Sequence, residues 1–374
     1  LELELAELVS VPSEDEEEDR GNIEDRVDLG AVYRCLHIHS VLGERAEFEK
    51  YYCTQRRKQA QLTLSLSHAQ QLALRNYCEF FSNIVGFFVV EDSIRHTVPS
   101  MVTKVYLDDL WSKTVTRLCS IIKVNAEGIK DSDVLLRLKD FCVLFGRTMQ
   151  SLGFSIAILK ELSELVWRSY QDVLALEWKD RFEELFVRDD YTAIKLTNHE
   201  EYQVILDMYP CQTPEFDVLP YPKSLSFSMM VPRIFQAVKK YIDVCRSFTE
   251  NLDLSQTELE DMVNKATNTL FSSSLTRCMT KAIRGSRGNL LRLIQLSVNM
   301  DELESACAKL EAHILAVVTG ISQTDEEEDS GGGTGGTGAG VSHATRQAQQ
   351  PQVPRTRLHG IAYFKDIRAE AESQ

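Results

Sequence analysis

The sequence has no paired cysteines. Its nine, Cys35, Cys53, Cys78, Cys119, Cys142, Cys211, Cys245, Cys278 and Cys307, are scattered and odd in number, with no Cys-x-x-Cys spacing. That excludes a zinc site built on cysteine pairs and a disulfide framework, and fits free thiols in a reducing compartment. Basic charge is also short: 41 Lys and Arg stand against 56 Asp and Glu, a net charge of −15. A phosphate backbone is bound through a basic footprint, so nucleic acid is not an expected partner. No apolar run approaches the roughly 20 residues of a membrane-spanning helix; Ile84–Val90 is a core segment, either a buried strand or the deepest turns of a helix. The N-terminus is acidic, without the basic and long apolar regions of a signal peptide, and there is no Asn-x-Ser/Thr sequon. A cytoplasmic chain is expected. It starts at Leu1 and breaks off at Gln374 within a helical pattern, which reads as an excerpt of a longer protein.

Catalytic motifs are equally scarce. There is no Gly-x-Ser-x-Gly elbow and no Gly-x-x-x-x-Gly-Lys-Ser/Thr phosphate loop. Gly331, Gly333 and Gly336 satisfy G-x-G-x-x-G, but the acidic run Asp325–Asp329 stands where a strand should precede them and would repel a pyrophosphate. His37 and His39 are two apart, so on a helix they diverge by about 200°; a single core-facing histidine is the expectation. His199-Glu200-x-x-Gln203 misses the zinc-protease pattern because Gln replaces the second ligand. Cys53 has Arg56, Arg57 and Lys58 nearby, a setting that lowers a thiol pKa, yet no histidine partner is in view; the Arg-Arg-Lys cluster reads as a solvated helix face. The expectation is a non-enzyme with no catalytic, metal or cofactor residues. Ser13 and Thr324, each beside an acidic run, are candidate phosphorylation sites.

What the sequence has is helical periodicity. Phe48, Tyr51 and Tyr52 fall at i, i+3 and i+4. Leu72, Tyr77, Phe80, Phe81, Ile84, Phe88 and Val89 continue a period that turns the Ile84–Val90 run toward helix, with Ser67 as N-cap and Glu91-Asp92 closing the run. Pro99 reads as a first-turn proline, Gly128 as a stop, Asp131 or Ser132 as a cap and Gly153 as a break. A long helix is predicted from about Ser155 to Phe186. Trp111, Trp167 and Trp178 lie in core stripes. Asn198 with Glu201, Ser255 with Glu258 and Asn299 with Glu302 each have capping-box spacing. Five of the nine prolines fall between Pro210 and Pro232, a region a helix cannot cross.

The reading is all-α, an elongated rod of stacked helical bundles. Its parts are an acidic disordered lead-in over 1–30, a helical bundle segment over 31–209 and a Pro-rich connection over 210–232. A second bundle segment over 233–320, a flexible acidic and Gly-rich loop over 321–357 and the start of a helix over 358–374 complete it.

Several segments carry a resemblance. Val32-Tyr-Arg-Cys-Leu-His-Ile38, Ser40-Val-Leu-Gly43, Phe48-Glu-x-Tyr-Tyr52 and Gln55-Arg-x-Lys-Gln-Ala60 resemble the Sec-fifteen family of exocyst subunits (exocyst component six). So, in the same order, do Ile84–Asp92, Asp109-Leu-Trp111, Glu200-Glu-Tyr202, Ser228 with Val231-Pro232, and Phe364-Lys-Asp366. The resemblance covers nearly all of 30–374; the insert at 325–354 departs from it. It implies a non-enzymatic helical rod in a vesicle-tethering complex, with the other exocyst subunits and a GTP-bound Rab-family GTPase as partners. Vesicle and plasma membrane are engaged indirectly, from a cytoplasmic position peripheral to secretory vesicles and recycling endosomes. It pins no GTPase-contacting residue. The alternative is a helical scaffold of another trafficking or cytoskeletal complex without a GTPase partner.

Overall fold

The structure is a computed structural model and describes residues 29–63, 74–320 and 358. The two acidic runs, Ser13, Ser67, Thr324, the Gly-rich stretch, Phe364–Asp366 and the expected helix start at 358–374 lie outside the described residues, Leu358 excepted. The chain is all-α, in two compact units that divide between Ser169 and Tyr170.

In the first unit, α1 (Gly30–Val41) and α2 (Arg45–Thr63) are joined by a turn with Gly43 at φ 80°. α3 (Leu74–Thr97), α4 (Lys104–Gly128) and α5 (Ser132–Ser151) follow. The Ile84–Val90 run is helical, and its period places Tyr77, Phe80, Phe81, Ile84, Phe87 and Phe88 in the core. An aromatic cluster is the centre of this unit. Phe88 lies 5.2 Å from Trp111 of α4, edge to face, and 5.1 Å from Phe154; Phe81 lies 4.9 Å from Phe145 of α5. Asp131 caps α5 by accepting from the Asp133 and Val134 amides, and Gly153 at φ 84° follows its end. Two expectations are corrected. Pro99 does not open α4: it sits in the preceding turn, and Thr103 supplies the cap by accepting from the Tyr106 amide at 3.3 Å. Tyr51 does not share the buried face of Tyr52; it is 61% exposed.

α6 (Ala157–Arg188) is about 48 Å long at 1.5 Å per residue. Its fully buried positions, Leu162, Val166, Tyr170, Leu174, Trp178, Phe182 and Phe186, step by four. Each step over-rotates by about 40°, so the stripe winds around the helix.

The division between units falls inside α6, and the proline-rich stretch belongs wholly to the second unit. There α7 (His199–Met208), the one-turn α8 (Pro214–Asp217) and a two-residue antiparallel pair, β1 (Lys195–Leu196) with β2 (Lys223–Ser224), form an irregular layer. α9 (Met230–Thr249) carries an unbroken apolar face from Met230 to Phe248. It packs on α6, where Trp178 Nε1 donates to the Ala237 carbonyl at 2.9 Å and Tyr170 lies 4.8 Å from Phe248. α10 (Gln256–Leu270) opens on the predicted capping box of Ser255 and Glu258, and runs through a π-turn (Phe271–Leu275) into α11 (Thr276–Gly285). α12 (Leu290–Thr319) ends at Gly320, φ 70°. The predicted capping box at Asn299 and Glu302 is not a helix start. α12 begins at the Asn289 cap and passes through both residues, because Asn299 is held by tertiary hydrogen bonds.

Candidate functional site

Among the described residues, three clusters of buried polar groups tie elements together. The first joins α2, α3 and α4. Tyr52 and Arg56, one turn apart on α2, both reach Glu91 of α3, which is fully buried. Tyr52 donates to Glu91 Oε1 at 2.9 Å, and Arg56 Nε donates to the same oxygen. The Arg56 guanidinium also covers the Phe87 ring at 4.2 Å, and that of Arg57 lies 4.9 Å over Tyr106. Glu91 Oε2 and the Tyr106 hydroxyl have no protein partner. Burial pushes the Glu91 carboxyl up, with Arg56 pulling it back.

Cys53 lies beside this cluster, and its basic neighbours in sequence do not lower its pKa. Burial and then Glu91 raise its pKa, outweighing Arg57, and its Sγ donates to the Met101 carbonyl at 3.3 Å. A protonated, hydrogen-bonded thiol is a packing group and not a nucleophile. Arg56 likewise departs from the solvated-face reading, whereas Arg57 and Lys58 are exposed.

The second cluster locks the start of α9. Asn299 is buried on α12: its Oδ1 accepts from the Ser228 amide at 2.9 Å and from Gln295 Nε2 at 3.1 Å, and its Nδ2 donates to Ser228 Oγ at 2.8 Å. The Ser228 hydroxyl donates to Asp189 Oδ2 at 2.7 Å. That carboxylate, raised in pKa by burial, also accepts from the Tyr191 amide at 3.0 Å. The bond holds Tyr191 at φ 55°, an uncommon conformation for a residue with a side chain. Replacing Asn299 with Ala strands the Ser228 amide in the core, while the Ser228 hydroxyl keeps Asp189. At about 1–3 kcal/mol for a buried amide left without a partner, the loss is expected to be about 1–3 kcal/mol in urea titration. A loss under about 0.5 kcal/mol would show that the network does not hold α9.

In the third cluster Tyr209 donates to Glu302 at 2.5 Å, while Lys309 Nζ reaches the Pro210 carbonyl and the Tyr209 hydroxyl. Nearby, buried Lys223 donates to the Phe216 and Asp217 carbonyls and faces the rings of Tyr202, Phe216 and Tyr221.

Each cluster ties two or more elements together, and none sets a nucleophile against a base in an open cleft. Among the described residues no three His, Cys, Asp or Glu side chains converge as metal ligands, and no helix is long and apolar enough to cross a membrane. His37 is exposed, and His39 stacks on Phe48 at 5.1 Å. His199 approaches the Tyr221 hydroxyl at 3.3 Å, and Gln203 donates to Asp207. Trp111 and Trp178 are core; Trp167 is half-buried. A shallow groove of about 600 Å³ runs along β1 and α7, lined by Ile194, Leu196, Val204 and Met229. Sequence reasoning missed Glu91, Asp189 and Asn299, whose partners lie 35 to 71 residues away.

Fold and clusters together define an all-α protein of packed long helices whose buried polar groups serve the packing. The sequence profile described as "Exocyst complex subunit Sec15 C-terminal" matches residues 158–374. The chain belongs to that family, the Sec15 exocyst complex subunits. It is 36% identical over 362 residues to the dog protein named Exocyst complex component 6, covering 96% of this chain and 42% of that protein. To the human protein of the same name it is 35% identical over 366 residues, 98% of this chain and 42% of the other. To the Drosophila melanogaster protein it is 34% identical over 313 residues, covering 82% and 41%. The chain thus spans about two fifths of the length of these relatives. A solved structure titled "Crystal Structure of Sec15 C-terminal domain" superposes with a TM-score of 0.36 at 30% identity, over 43% of this chain and 53% of that one.

Proposed function

We propose that this chain is part of a non-enzymatic subunit of the exocyst vesicle-tethering complex. The whole protein binds sibling exocyst subunits and a GTP-loaded Rab-family GTPase, and so links secretory or recycling vesicles to the plasma membrane before fusion. It acts from the cytoplasm, peripheral to those membranes. The observation that carries this reading is the alignment of 96–98% of the chain with relatives named Exocyst complex component 6. The structure is compatible with it: polar groups that a hydrolase would place in a cleft are spent here on fixing helices, and long helices offer side surfaces on which several proteins can dock.

The test uses the full-length protein that contains this chain. Immobilised Rab proteins are loaded with GTP or GDP, and retention is compared. Retention on the GTP forms only, with sibling exocyst subunits recovered from cell extract, is the expected result. Equal retention on both forms, or none, overturns the GTPase part; recovery without any exocyst subunit overturns the whole.

A further inference from the structure

The second unit ends in a surface unlike the rest of this acidic chain. From Met262 to Met300 there is no Asp or Glu, and six Lys or Arg occur. The fold collects the last five of these at one end. Ser274 Oγ donates to the Ala175 carbonyl, Cys278 Sγ lies 4.0 Å from the Lys179 carbonyl, and Lys281 is 3.4 Å from Glu183. This one-to-one advance makes α11 run parallel to α6, so the two helices finish together, at Gly285 and Arg188. The first turn of α12 starts at the same level, because the Arg292 guanidinium lies 3.9 Å over the ring of Tyr191, just past α6.

Aliphatic side chains project from this end. Leu290 and Leu291 are 71% and 79% exposed, Ile294 is 52% exposed, and Val187 at the end of α6 is 84% exposed. Arg284 and Arg287, both exposed, occupy the turn immediately before them. The carboxylates nearby are largely engaged: Glu183 with Lys281, Glu184 with Arg188, Asp189 with Ser228, and Asp190 with the amide and hydroxyl of Thr192. Asp180 lies two turns back.

We propose that this end of the second unit inserts into the interface of an anionic phospholipid bilayer. The chemistry fits that occupant. Leu290 and Leu291 lead and would leave water among the acyl chains, while Arg and Lys stems follow and hold their charge at head-group depth. Because the chain as a whole carries −15, an anionic surface repels it generally, and the basic end sets the orientation of approach. The chain's own acidic run at 325–329 is not the occupant. Nine residues past Gly320 span at most about 32 Å, against about 45 Å for α12 between Leu290 and Thr319.

The test is flotation of the purified 374-residue chain with phosphatidylcholine vesicles, with and without phosphatidylserine. Wild type is expected to float with the anionic vesicles, to stay behind with the neutral ones, and to be released by ~0.5 M salt. The variant Leu290→Ser/Leu291→Ser/Ile294→Ser is expected to bind about tenfold less, with an unchanged circular-dichroism melt. Val218→Ser/Leu219→Ser, exposed elsewhere, is expected to bind as wild type. Failure of wild type to float, or equal flotation of the triple variant, overturns the proposal. So does capture by an acidic polypeptide without vesicle binding. No exocyst subunit or GTPase enters the assay, so its outcome is independent of the function proposed above.

Discussion

Replacing Phe88 with Ala is expected to cost about 3–5 kcal/mol, the range for truncating a fully buried Phe. Phe88 is 1% exposed and touches three aromatic rings: Phe87 at 5.5 Å and Trp111 at 5.2 Å, both near edge-to-face, and Phe154 at 5.1 Å. Such pairs add about 0.5–1.5 kcal/mol beyond their buried area. The rings around the gap are themselves locked: the Trp111 indole donates to the Ser155 carbonyl at 2.8 Å. They cannot collapse into the cavity without breaking that bond, which places the cost toward the upper end. Urea titration with a probe in each unit measures it, because two compact units need not unfold as one. The midpoint of the first unit should fall and that of the second should hold. Unchanged midpoints with lost partner binding would make Ile84–Asp92 an interface and not a core.

Such a core was readable because its signal is local. Tyr77, Phe80, Phe81, Ile84 and Phe88 repeat at helical spacing, and no strand can interrupt that period and resume it. Asp131 and Ser255 were readable as caps for the same reason: the groups they satisfy are their own next-turn amides. Asn299 shows where that logic ends. Its spacing to Glu302 matches a capping box, but it also stands three residues after Leu296 and four before Leu303, both buried. A cap and a core polar residue look alike until Ser228, 71 residues away, is seen to use the carboxamide. The burial of Lys223 among three rings has the same origin. Partner surfaces were the least legible. Leu290 and Ile294 read as a core stripe beside Leu293, and only the length of α12 beyond the start of α9 leaves them in solvent.

Glu91 combines a local sequence signal with partners 35 and 39 residues away. It closes an apolar run and looks like the end of the core, yet it is three residues after Phe88 and three before Ile94, so the helix turns it inward. Glu91→Ala is expected to cost about 3–5 kcal/mol, because it strands the Arg56 guanidinium and the Tyr52 hydroxyl without their common acceptor. The loss measures the stranded partners more than the worth of the pair. A double change, Arg56→Met with Glu91→Leu, removes both charges and should recover most of it. The pH dependence separates this from simple packing. Burial raises the Glu91 pKa above its ordinary 4.5, so the folded state holds the proton more tightly than the unfolded one. Its contribution is then greatest below the unfolded value, declines as pH rises through the folded value, and is flat above. Glu91→Gln removes that slope. Relative to Glu91→Gln, the wild type should therefore gain stability between neutral pH and about pH 5. A difference between the two that is the same at both pH values would mean that Glu91 stays charged throughout, held by Arg56 against its burial.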